Sequence, residues 1–166
     1  MGRSTNALLV YGYDLGGDGD GDGWKVQETD EYGGLAELDW FDEEHPEADF
    51  CDAVERRLLA VLGGFTEEWT EDARNTGYYD REKAAKARVH VKVETHCSDG
   101  APSYLLAVNV TTARRGDPVV IDVDDLTRSR LAADWDDLLA EALQALGLTP
   151  LQAAPAWILA SYADGF

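Results

Sequence analysis

The chain is poor in cysteine: its 166 residues hold two, Cys51 and Cys97. Two thiols do not make a disulfide scaffold. Both lie inside patterned stretches as small apolar residues, so a reducing cytoplasm is the expected setting. A long apolar run is also missing. Ala7 to Tyr13 is the candidate near the start, and it is too short for a membrane span or a signal-peptide core. Asn6 stands where a myristoylation signal at Gly2 wants Ser or Thr, so no lipid anchor is implied. Basic residues are few, 14 Lys and Arg against 33 Asp and Glu, for a formal charge of -19. Such a field repels nucleic acid and anionic membranes and attracts basic surfaces. No G-x-S-x-G elbow, phosphate-binding loop or H-E-x-x-H occurs. The expectation is a protein that is not an enzyme.

What is present points to a folded body. Hydrophobic residues make up 45%, with five Trp and seven Tyr, which is enough for a core in one domain spanning 1–166. The chain is organised around Ala87 to Arg115, two β-prone runs flanking the turn SDGAP, which reads as a hairpin. In its first run Val89, Val91, Val93, Thr95 and Cys97 share one face, and His90, Lys92, Glu94 and His96 share the other. In its second, Tyr104, Leu106, Val108 and Val110 form one face, with Leu105 and Ala107 opposite. Asn6 to Tyr13 reads as a buried strand, Trp24 to Glu28 as its return, and Pro118 to Val123 as a further strand. Asp49 to Leu62 and Asp134 to Leu146 carry helical apolar spacing and stop at glycine. Tyr78 to Lys86 is a short surface helix, Asp124 to Leu131 a helical turn, and Ala156 to Tyr162 a last strand. Strands joined by short turns, without a regular βαβ rhythm, predict an α+β fold. Its sheet is mainly antiparallel, with the two principal helices on one face.

The charge is unevenly spread. Residues 1–55 hold 16 acidic and two basic side chains, a balance of -14, and the remaining 111 residues hold the other -5. Residues 14–48 form a long acidic loop and connector. Within it Asp18, Asp20, Asp22 and Gly23 spell the opening of a calcium loop, D-x-D-x-D-G. The twelfth position is Thr29 rather than a bidentate Glu, and no helix precedes the loop. A solvated Asp-Gly loop is the plainer reading, with Ca²⁺ at those three carboxylates as the alternative and otherwise no cofactor. His90 and His96 lie ~20 Å apart on an extended strand and cannot share a metal, while His96 and Cys97 point to opposite faces. Six basic residues between Arg74 and Lys92 read as balancing the acidic segment across the fold. Arg115-Gly116-Asp117 is a chance tripeptide between strands.

At YGYDLGG, TTARRGD, LGLTP and the closing PAWILASY, the chain resembles a group of small acidic proteins of actinobacteria and their phages. That resemblance spans most of the chain and brings no catalytic residue with it. It implies an accessory gene, often on mobile elements, in a high-GC cytoplasm. The functional expectation is a non-enzymatic module that docks its acidic third on a basic protein, as a DNA mimic inhibits a nucleic-acid-binding host protein. The partner-binding candidates are Glu37, Asp39, Asp42, Glu43, Glu44, Glu47, Asp49 and Asp52, with Trp40 and Phe41 as apolar anchors among them. A calcium-tuned binding module and an enzyme of unrecognised type are the alternatives.

Overall fold

The computed structural model describes residues 5–18, 23–42, 49–98 and 101–163. Strand β1 (Thr5–Gly16) is flanked by β3 (Ala101–Ala113) and β4 (Ala156–Ala163), and β2 (Lys92–Ser98) pairs with the far edge of β3. All three pairings are antiparallel, and the order is β2-β3-β1-β4. This is the α+β architecture expected, with helices α1 (Phe50–Val61) and α4 (Trp135–Leu146) packed on one face. The shorter α2 (Tyr78–Lys86) and α3 (Val123–Ala132), and a 3-10 turn at Glu71–Asn75, lie around them.

Both principal helices form for reasons visible in their sequences. Asp49 caps α1, its carboxylate accepting the Asp52 N–H at 3.1 Å, and Phe50, Val54 and Leu58 return to one buried stripe. Helix α4 buries Trp135, Leu139, Ala142 and Leu146 and closes on Gly147 in the left-handed conformation that glycine adopts without strain. These stripes meet Tyr11, Leu15 and Leu106 of the sheet in one core, and rings from the acidic connector complete it. Phe50 is the centre of that ring cluster, within 6.0 Å of Trp24, Trp40, Phe41 and Tyr104 by centroid.

The opposite sheet face holds a second cluster, Leu8, Val10, Leu105 and Ala107, edged by Val110, Ile158, Ala160 and Tyr162. The edge strands β2 and β4 approach each other, with Cα atoms within 8 Å. Since the helices occupy the other face, the sheet curls around this second cluster. The bend lies at a bulge where Tyr11 faces Asn109 but Gly12 already faces Ala107, so Val108 is the extra residue. That bulge reverses the alternation expected for the second hairpin strand. Val110 joins the face of Leu105 and Ala107, not that of Tyr104 and Leu106.

Two expected strands are not strands. Trp24 makes one bridge to Gly16, after which Val26 bridges to Pro150 and the Lys25 carbonyl accepts the Leu151 N–H at 2.9 Å. Pro118 to Asp122 forms no strand and leads into α3, which begins at Val123, with Val120 97% exposed. Neither segment joins the four-stranded sheet, in which β3 and β4 flank β1 and β1 and β2 flank β3. Helix α3 has no fully buried residue and is held by Arg130, which pairs with Asp136 of α4 at 2.8 Å and lies 4.9 Å from the Tyr11 ring centroid. The Tyr11 hydroxyl donates to Asp136 at 2.5 Å. Burial first, then that carboxylate, pushes the Tyr11 phenol up to about 12. Arg130 and Tyr11 together hold the Asp136 carboxyl below its usual range.

Candidate functional site

The acidic third divides into two populations. One is occupied in building the fold. Asp14 pairs with Lys25 at 2.8 Å, Asp18 accepts the Trp24 indole N–H at 3.0 Å, and Glu28 accepts the Thr149 N–H at 2.8 Å. Asp30 accepts two backbone N–H groups, from Tyr32 and Gly34, and closes a turn. The other population faces solvent. Glu37, Asp39, Asp49 and Asp52 are exposed, although Asp49 also caps α1. Asp39 has 80% of its side chain exposed, and its ion pair to Arg57 is long at 3.8 Å. Asp42 is half-buried. The candidates Glu43, Glu44 and Glu47 lie outside the described residues.

Trp40 and Phe41, expected as apolar anchors for a partner, pack on the chain's own core instead of standing free at the surface. Phe41 is 8% exposed and belongs to the core, and Trp40 packs on Phe41 and Phe50. The Trp40 indole N–H donates to the Leu146 carbonyl at 2.8 Å, and Arg57 donates to the Ala145 carbonyl at 2.9 Å. These bonds satisfy orphan carbonyls at the end of α4, the first tying the connector to α4 and the second tying α1 to α4. Leu35, Trp40 and Phe41 of the connector therefore serve the chain's own core, while Tyr32 is 88% exposed.

The cations between Arg74 and Lys92 act more locally than expected. Arg81 makes two bonds of 2.6 Å to Glu67, which hold that carboxyl below its usual range. Lys86 pairs with Glu82 at 2.7 Å and with Glu55 at 3.3 Å, and Lys92 with Glu94 at 3.1 Å. Among these pairs, the one from Lys86 to Glu55 reaches the acidic third.

No group of three His, Cys, Asp or Glu among the described residues is placed to hold a metal ion. Asp18 is the described member of the calcium candidates, while Asp20 and Asp22 lie outside the described residues. His96 and Cys97 do not diverge as strand geometry predicts. Cys97 has φ of 73°, and its Sγ lies 3.3 Å from His96 Nδ1. Burial, with Lys25 in the same sense and Asp14 opposing, lowers the pKa of the imidazole. Burial pushes the Cys51 thiol up to about 12, and the carboxylates of Asp49, Asp52 and Glu94 add to the effect. Cys97 is exposed. Iodoacetamide should therefore label Cys97 faster than Cys51 by more than about tenfold at neutral pH, because the thiolate is the reacting form. Peptide mass mapping over time measures this, and equal labelling would overturn the contrast.

The sequence reading overlooked a groove between α1 and α2. Its volume is about 810 Å³, and Leu59, Phe65, Trp69 and Tyr78 supply its apolar lining. Trp69 is 58% exposed, and its indole N–H donates to the Tyr79 hydroxyl at 2.8 Å. The available signal was TEEWTED, residues 66–72, a Trp flanked on both sides by carboxylates.

No family model, curated protein or solved structure matches this chain. The fold and site define an acidic α+β protein with a curled antiparallel sheet. Among the described residues, no helix is long and apolar enough to cross a membrane.

Proposed function

We propose that this protein is a non-enzymatic binding module whose carboxylate face, carrying Glu37, Asp39, Asp49 and Asp52, docks on a basic protein surface. The observation that supports the reading is their exposure on a clamped connector and helix start, with Arg57 as the single ion-pair partner among the described residues. Carboxylates held in place can occupy Lys and Arg sites that otherwise take nucleic-acid phosphates. The partner is then a cytoplasmic nucleic-acid-binding protein, and the module an inhibitor of the DNA-mimic kind. The resemblance to small acidic proteins of actinobacteria and their phages makes an actinobacterial lysate the place to look.

Affinity capture from that lysate, run at about 50 mM and about 500 mM salt, tests the reading. Basic proteins should be retained at low salt, lost at high salt, and displaced by duplex DNA. Neutralising the face (Glu37→Gln, Asp39→Asn, Asp49→Asn, Asp52→Asn) should weaken capture roughly ten- to hundredfold, with asparagine at 49 keeping the helix cap. Capture that ignores salt, or no basic protein at low salt, would sink the proposal.

A further inference from the structure

Beside the carboxylate face, and sharing Asp52 with it, lies the groove between α1 and α2. We infer that this groove seats an arginine side chain from a basic segment of the partner. The inference deepens the docking function proposed above and rests on it.

The groove's charge selects the sign of its occupant. Five carboxylates line it, Asp52, Glu55, Glu67, Glu68 and Glu82, against the cations Arg56 and Lys86, a formal balance of -3. Lys86 is engaged by Glu55 and Glu82, and Glu67 is engaged by Arg81. Asp52 and Glu68 make no ion pair among the described residues, so their charge is available to a newcomer. Arg56 turns its Nε back to the Asp52 carbonyl at 3.4 Å within its own helix. On a chain of net charge -19, an anionic occupant would meet repulsion from every side.

The groove's apolar part selects the shape. Leu59 is buried beneath it, and Phe65 and Tyr78 meet edge-to-face at 5.3 Å. These groups offer a surface for an aliphatic stem. Trp69 stands at the rim with its N–H already bonded to Tyr79, so its orientation is set while most of its ring area remains in water. A guanidinium uses all three features at once. Its stem packs on apolar surface, its plane stacks on an indole, and its fork of N–H groups donates to carboxylates. An ammonium is more strongly hydrated and lacks the planar fork, so lysine is the poorer occupant.

The test uses the full chain and a fluorescein-labelled decapeptide alternating arginine and alanine, with lysine and glutamine versions beside it. Anisotropy at about 50 mM salt should rank arginine above lysine by several-fold and show no binding of the glutamine peptide. Trp69→Ala, at an exposed position that leaves the core intact, should weaken the arginine peptide roughly three- to thirtyfold. Equal binding of the lysine peptide, or an unchanged Kd for Trp69→Ala, would overturn the groove assignment. The double variant Glu37→Gln/Asp39→Asn separates this result from the docking proposal. If the double variant loses arginine-peptide binding and Trp69→Ala does not, the carboxylate face stands and the groove falls. If Trp69→Ala loses binding while lysate capture finds no basic protein, the arginine seat stands and the docking proposal falls. If no cationic peptide binds at low salt, both fall.

Discussion

Valine at position 12 should leave the chain unable to close its sheet. A Cβ at Gly12 would overlap the Leu106 carbonyl oxygen and come within 2.8 Å of its carbon, and both atoms are backbone that cannot rotate away. The conflict falls at the bulge, where the sheet bends around Leu8, Val10, Leu105 and Ala107. Relief would require separating the two central strands. The expected cost exceeds about 3 kcal/mol, a large part of what a domain of this size has. Urea unfolding followed by tryptophan fluorescence measures it. Gly116→Ala is the comparison: φ there is +81° but nothing lies within 4 Å of the added carbon, so about 1 kcal/mol is expected. Similar costs at the two positions would refute the argument from space.

Phe50→Ala should cost about 3–5 kcal/mol, since it removes a large buried side chain that its neighbours cannot replace. Phe50 is 3% exposed and touches rings from three other parts of the chain: Trp24, the Trp40–Phe41 pair, and Tyr104 of β3. Two of those parts belong to the acidic connector, so the variant should loosen the carboxylate face as well as the core. Hydrogen exchange at residues 35–42 should accelerate in Phe50→Ala by more than it does in Leu139→Ala, a core truncation in α4 of comparable size. Equal acceleration in both variants would show that Phe50 has no special hold on the connector.

How much of this was legible depended on how far away each residue's partner lies. Trp135, Leu139, Ala142 and Leu146 carry their helix in their own spacing, and α4 forms where that spacing puts it. Ala156 to Tyr162 reads as a strand by length and becomes β4. The bulge at Val108 was hidden because it is a property of the pairing with Gly12 and not of either strand alone. The proximity of His96 and Cys97 was hidden because it needs a left-handed backbone at Cys97, where strand alternation predicts divergence. For the candidate site, exposed carboxylates at Glu37, Asp39, Asp49 and Asp52 followed from composition. The apolar anchors did not, because Trp40 has its partner at Leu146, 106 residues along the chain. The groove at Trp69 needed α1 and α2 to be placed together before it existed.

The order of strands in the sheet also bears on how the molecule is made. β1 leaves the ribosome first, yet one of its neighbours begins at residue 101 and the other at residue 156. The hairpin of β2 and β3 can form on its own contacts while synthesis continues, but β1 waits, unpaired and apolar, until β3 has emerged, and it gains its second neighbour only with β4. A dense negative charge, 14 net charges within residues 1–55, follows that waiting strand, and like charge of this density disfavours association of nascent copies.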